Sequence, residues 1–247
     1  MRDGFTQEAR AAIKSGRRKT TYLWSAALSL VPIIGQAAVI GHGLLWARRL
    51  AWHEVCPVSD VDDTAGEALG AGFRAMVASI PHLAILWLCV WASRPVWAVS
   101  IPLIWVLWPA ISAFALLRAT IYKRIRSAWA LNDIRRRLWD IRTAFLGTAL
   151  GMGAMRLACV CVPSAIAVAL APSIPVAVVR LASAPSPDAL KALGTAVASN
   201  PWQTAVIGAT ALVGVCVGWY FDCACAGAMT NVMSVENWPE EGAVDLD

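Results

Sequence analysis

Five long apolar stretches dominate this chain and fix what it can fold into. They cover residues 22–47, 73–93, 96–117, 144–171 (with a weaker extension to 182) and 202–232. A helix needs about 20 apolar residues to cross a bilayer, and each stretch meets that length. Of the 247 residues, 58% are hydrophobic and 15% charged, and mean hydropathy is +0.59. Soluble domains run at about 45–50% apolar and about 25% charged. A soluble fold of this size has too little core to hide so much apolar surface. The same composition excludes intrinsic disorder and a conventional water-soluble enzyme. The expected class is an all-α, polytopic transmembrane helical bundle forming one membrane domain.

The net charge of +5 reads as topology, because basic residues hold loops on the cytoplasmic side. No zinc-finger, helix-turn-helix or RNP signature is present, so no nucleic acid partner is expected. Seven cysteines occur: Cys56, Cys89, Cys159, Cys161, Cys216, Cys223 and Cys225. An odd number, mostly inside apolar stretches, does not describe a disulfide framework. Residues two apart on a helix do not share a face. Neither Cys159/Cys161 nor Cys223/Cys225 therefore makes a chelate by itself, and no metal or cofactor is expected. The first apolar stretch is longer than the 7–15 residues of a signal-peptide core and is read as retained.

Charge sets the topology. Residues 118–142 carry Arg118, Lys123, Arg124, Arg126, Arg135, Arg136, Arg137 and Arg142 against Asp133 and Asp140, which places them inside. The basic N-terminus (1–21) belongs inside too. Stretches two and three (73–117) form a transmembrane hairpin with a short outer turn at Arg94-Pro95. The acidic loop 48–72 must then be cytoplasmic, and the first stretch has both ends inside. A single crossing does not achieve that. The expectation is a re-entrant hairpin over 22–47, broken at Pro32 and Gly35, where proline removes a donor and glycine tolerates the bend. A proline-kinked single span is the alternative. Two further spans occupy 144–232, joined by an outer loop near 183–201. The acidic tail 236–247 lies inside.

Within 118–142, Ile121, Ile125, Ala128, Leu131, Ile134, Leu138, Ile141 and Phe145 follow helical spacing. Lys123, Arg124, Arg126, Arg135, Arg136 and Arg137 fill other positions. This predicts a basic amphipathic helix on the inner membrane surface, or one packed on the spans, with Trp129 and Trp139 at headgroup depth. Trp24, Trp46, Trp91, Trp97, Trp202 and Trp219 sit near stretch ends, as an aromatic belt requires. Trp87, Trp105 and Trp108 are more central, where packing is the simpler account.

Ionisable residues inside spans are costly and so are functional candidates. Arg156 and Asp222 qualify. They are level if the fourth span starts near Leu157, and about 10 Å out of register if it starts at Ala144. Gln36 lies at the break of the first stretch, and His42 in its second arm. These four form the candidate intramembrane polar site. His82 follows Pro81 and reads as a packing residue. His53-Glu54 lacks the second histidine of a zinc-protease motif. Asp60, Asp62, Asp63 and Glu67 read as caps of a helix starting near Thr64, in preference to a cation site. Gly147, Gly151, Gly153 and Ala154 look like small-residue helix packing. No nucleophile–base set, phosphate loop or dinucleotide fingerprint occurs, so no catalytic residue is assigned and an enzyme is not expected.

Leu30-Val31-Pro32-Ile33-Ile34-Gly35-Gln36, then Gly41 and Arg48-Arg49, resembles the start of domain-of-unknown-function family 4013. Pro57, Asp62-Asp63, Gly66-Glu67 and Gly70 or Gly72 continue the likeness, as does Val235-Glu236-Asn237-Trp238-Pro239. Members often carry an aromatic residue where His42 stands, and a tryptophan where Ser59 or Val61 stands. The family comprises uncharacterised bacterial and archaeal multi-pass membrane proteins. The resemblance implies membrane architecture and the proline break, and no activity. The chain is expected in the bacterial cytoplasmic membrane.

Two functional classes follow. One is an accessory or scaffolding membrane protein binding anionic lipid headgroups or a membrane-protein partner. The other is a small transporter or channel with a site near the broken first helix. Convergence of Gln36, His42, Arg156 and Asp222 on one wetted cavity would favour transport. Pairing in a dry core would favour the accessory role.

Overall fold

The computed structural model describes residues 18–52, 64–92 and 96–232. These form helices and their connections, with no strand among them: α1 (Arg18–Ser29), α2 (Ile34–Ala51), α3 (Ala65–Ala92), α4 (Trp97–Ile121), a 3-10 turn (Ile125–Trp129), α5 (Leu131–Asp140), α6 (Arg142–Leu170), α7 (Ser173–Ser183), α8 (Pro187–Ser199) and α9 (Pro201–Val232). Four are long and apolar enough to cross a bilayer: α3, α4 from Ser100, α6, and α9 to Thr230. Only 17% of the most apolar window is buried in α3, α6 and α9, against 39% in α4. The first three therefore present most of their apolar surface outward, and α4 is the most enclosed.

The first apolar stretch is two helices. Pro32 interrupts the ladder, and Ile33 takes φ 64°, a conformation uncommon for a β-branched residue. Gly35 backs directly onto the Leu28 carbonyl, where a Cβ would collide with it. The bend satisfies its own amides locally: Val31 N donates to Leu28 O (2.9 Å) and Gly35 N to Val31 O (3.1 Å). Leu30, Val31, Ile33 and Ile34 are all exposed. The two arms are antiparallel, since Tyr22 and Ser25 of α1 meet the same Tyr220 of α9 as His42 and Trp46 of α2.

Glycine allows α2 to press against α3 and α9. A Cβ on Gly41 would overlap the Ala68 carbonyl, and one on Gly72 the Ala37 carbonyl. Facing α9, a Cβ on Gly43 would sit 2.6 Å from Trp219 Nε1, and one on Gly227 2.5 Å from Ala47 O. These contacts set the register of α2 on α9. By that register α9 runs on about 15 Å beyond the hairpin tip at 1.5 Å per residue. Small residues let helix backbones approach closely where no hydrophobic force drives association. The expected small-residue run in α6 contributes less. A Cβ on Gly153 would sit 3.1 Å from Val106 Cγ2, while one on Gly147 or Gly151 would meet no described atom within 4 Å.

Three boundaries differ from expectation. The acidic loop is shorter than 48–72, because α2 continues through Ala51 and α3 starts at Ala65. The first turns of α3 are glycine- and alanine-rich, so hydropathy missed them, yet they pack on α2. The segment near 183–201, expected as an outer loop, contains α8. Ser186 caps it by accepting from Ala189 N (3.1 Å), with Pro187 in the first turn, where proline is well tolerated. Helix α8 pairs with α7 through Ala177, Leu193 and Ala196.

The third correction concerns 118–142, which is not one helix. α4 ends at Ile121, and Lys123 turns the chain at φ 51°. The 3-10 turn then docks beside Pro81, where the α3 ladder loses a donor. Trp129 Nε1 donates to Ala78 O (3.1 Å), and His82 Nε2 donates to Ala128 O (3.0 Å). The apolar periodicity still describes burial: Ile121, Ala128, Ile134 and Leu138 join the main core, and Leu131 is exposed.

Residues 1–17, 53–63, 93–95 and 233–247 lie outside the described residues. They include most of the basic N-terminus, His53, Cys56, Asp60, Asp62, Asp63, the Arg94-Pro95 turn and the acidic tail.

Candidate functional site

The four candidate polar residues lie in three settings around α9, two of which share a wall. On one side, α6 brings Arg156 to Asp222. Arg156 Nε donates to Asp222 Oδ2 at 2.9 Å, and Nη2 reaches the same oxygen. The pair is therefore level even though α6 begins at Arg142. Asp222 is 1% exposed and the Arg156 side chain 38%. Asp222 Oδ1 has no hydrogen-bond partner among the described residues. Trp105, Cys159, Gly214, Gly218 and Trp219 line a cleft of about 260 Å³ around the pair.

On the hairpin side, Tyr220 is nearly fully buried. Its hydroxyl hydrogen-bonds with Ser25 Oγ (2.9 Å) and His42 Nδ1 (3.1 Å). His42 also meets the Tyr220 ring edge-on. This knits both arms of the hairpin to α9, and leaves His42 engaged in packing.

Gln36 occupies a third place. It lines a cavity of about 380 Å³ with Ser29, Met76, Ser79, Leu116, Cys216 and Trp219, most of its wall apolar. Gln36, His42, Arg156 and Asp222 thus do not converge. Arg156 and Asp222 meet each other and His42 meets Tyr220, while the Gln36 cavity shares Val215 and Trp219 with the cleft around the pair.

The tryptophans divide similarly. Trp24, Trp91 and Trp202 are exposed, as a belt requires, and so is Trp87, which was expected to pack. Trp46 is 2% exposed and belongs to the core beside Tyr220. Trp108 packs against His82. The Trp97 side chain is not among the described ones.

Lys123, Arg124, Arg126, Arg135 and Arg136 are exposed. The Arg137 side chain lies outside the described ones. Trp139 is exposed, with the Arg142 guanidinium over its ring at 5.4 Å.

One feature escaped the sequence reading altogether. The end of α2, the start of α3 and the end of α4 enclose a cavity of about 430 Å³, lined by Arg48, Thr64, Glu67, Gly70, Arg74, Thr120 and Lys123 among others. The Thr64–Glu67 part was legible: Glu67 Oε2 accepts from Thr64 N (3.1 Å), and Glu67 N donates to Thr64 Oγ1 (3.2 Å), a reciprocal capping box. Arg74 was hidden because it lies inside an apolar stretch. Among the described residues, no group of three or more histidine, cysteine or acidic side chains is placed to hold a metal ion.

Comparison with protein-family models, curated proteins and solved structures found no match.

Proposed function

We propose that this chain is an accessory or scaffolding component of the bacterial cytoplasmic membrane, of the family 4013 kind, with both termini inside. Its basic inner face binds anionic lipid headgroups or a partner complex. One observation carries the reading: Arg156 bonds to Asp222 and His42 to Tyr220, while Lys123, Arg124, Arg126, Arg135 and Arg136 stay exposed. Clusters of basic residues beside a membrane segment attract anionic lipid at about 1 kcal/mol per residue. In this reading the first hairpin is re-entrant, entering and leaving from the inner side.

Transport is the second reading. It is favoured by the Gln36 cavity beside the broken hairpin, since discontinuous helices mark substrate sites in transporters.

Native mass spectrometry of the protein in nanodiscs drawn from its own membrane separates the two. The accessory reading expects a retained anionic lipid or a stoichiometric protein partner. A bare chain or homo-oligomer carrying a small polar ligand would overturn it. Flux measurements on Arg156 and Asp222 variants would then follow.

A further inference from the structure

The cavity at Gln36 lies where the hairpin tip meets α3, α4 and α9. Its depth follows from α9, whose 32 residues make a rod of about 48 Å. The cavity meets α9 between Leu212 and Trp219, about 16–27 Å from the Pro201 end at 1.5 Å per residue. A hydrocarbon layer of about 30 Å covers most of that interval wherever it is placed along the rod. The cavity therefore stands at a depth where the bilayer supplies no water to complete a hydrogen bond.

Its polar groups are few and differ in kind. Ser29 Oγ donates to Ser25 O (2.7 Å) and Ser79 Oγ to Met76 O (2.7 Å), so both hydroxyl protons are spent within their own helices. The Gln36 carboxamide has no hydrogen-bond partner among the described residues. Each wall comes from the middle of a described stretch: the nearest undescribed residues in sequence, 17 and 63, are each 12 residues from the closest wall residues, Ser29 and Ala75. An amide held away from water without a partner is costly. A ligand that supplies the missing donor or acceptor removes that cost. Among the described residues no charged side chain lines the cavity, and a charge placed there would go unpaired. The matching head is neutral.

A phospholipid does not meet both conditions. Its charged headgroup stays at the interface, so only an acyl chain reaches this depth and the amide stays unmatched. We infer that the Gln36 cavity holds a neutral membrane amphiphile, an apolar body whose uncharged hydroxyl or carbonyl head hydrogen-bonds the Gln36 amide. The carboxamide accepts from a hydroxyl through its oxygen and donates to a carbonyl through its nitrogen. About 380 Å³ with a mostly apolar wall is in the range of small-ligand sites. Gln36 and Val215 both line the cavity and are exposed, so it opens at the lipid-facing surface and loads from the bilayer. This goes beyond both functional readings above, since it concerns neither the basic inner face nor a polar solute.

The test uses the full chain in phosphatidylcholine nanodiscs, photolabelled with a diazirine-bearing long-chain alcohol, with labelled peptides mapped by mass spectrometry. Unlabelled 1-dodecanol, dodecane and dodecyl phosphate compete, presenting a neutral head, no head and a charged head on one body. Gln36→Leu removes the amide and keeps the bulk. Val215→Trp fills the mouth from the exposed side and leaves Gln36 in place. The proposal expects label on the wall segments of α2, α3 and α9. Dodecanol should compete about tenfold better than either other compound, and Gln36→Leu should weaken labelling about tenfold, the worth of one such hydrogen bond. Val215→Trp should abolish it. Where Gln36→Leu folds poorly, the competition series on the parent chain decides. Equal competition by dodecane or dodecyl phosphate, or labelling that a folded Gln36→Leu leaves unchanged, would overturn the site and leave an ordinary gap filled by an acyl chain.

Discussion

Arg156→Met is the most informative single perturbation of the membrane core. Asp222 is 1% exposed and Oδ2 takes both bonds from Arg156, while Oδ1 takes none from the described residues. Removing the guanidinium strands a carboxylate on the inside of the bundle. Breaking a buried pair from one side costs about 3–5 kcal/mol. The Arg156 side chain is 38% exposed, so the pair sits at the edge of the core and the lower end, about 3 kcal/mol, applies. Asp222→Asn is milder, because the amide oxygen still accepts from Arg156 and the long side chain can move its charge toward the interface. A cost of about 1 kcal/mol follows from one weakened hydrogen bond. The double variant strands no charge and should lie about 2 kcal/mol below the parent, which leaves a coupling of about 2 kcal/mol between the sites. Reversible unfolding in mixed micelles measures all three. Additive losses, or an Arg156→Met cost under about 0.5 kcal/mol, would refute the reasoning, since surface changes away from structural features stay within that range.

Glycine position should decide outcome: Gly41→Leu should prevent folding, because its Cβ would fall inside the Ala68 carbonyl, whereas Gly151→Leu, in open space, should stay within about 0.5 kcal/mol. The yield of monodisperse protein and its melting temperature distinguish them. Tyr220→Phe should cost about 1–2 kcal/mol by leaving Ser25 and His42 without the shared hydroxyl, with faster amide exchange concentrated in α1. Thr64→Ala should cost about 1 kcal/mol through loss of the cap, with exchange rising only in the first turn of α3.

Much of this architecture was legible because bilayer spans need long apolar runs, and four such runs became α3, α4, α6 and α9. Pro32 and Gly35 located the hairpin bend because their backbone constraints are local. The start of α3 was not legible. Gly66, Gly70 and Gly72 lower hydropathy, and Gly72 also allows the close contact with Ala37 of α2, so the residue type that lets the helices pack there also reads as loop. Residues 118–142 failed for a different reason. The burial pattern there is helical, but Lys123 reverses the chain and Trp129 takes an acceptor on α3, a tertiary choice that spacing does not encode. The Arg156–Asp222 pair was visible as two candidates, and only packing settled their register. Arg74 was not legible as a site residue because it stands as one cation at the start of an apolar run.

Labelling of single introduced cysteines by a membrane-impermeant reagent, applied to sealed vesicles of each orientation, tests the account most directly. Thr21→Cys and Arg135→Cys should react from the inner side alone, Lys191→Cys in α8 from the outer side alone, and Val31→Cys at the hairpin tip from neither. Reaction of Thr21→Cys and Arg135→Cys from opposite sides, or of Val31→Cys from the outer side, would contradict it by making the first apolar stretch a kinked crossing.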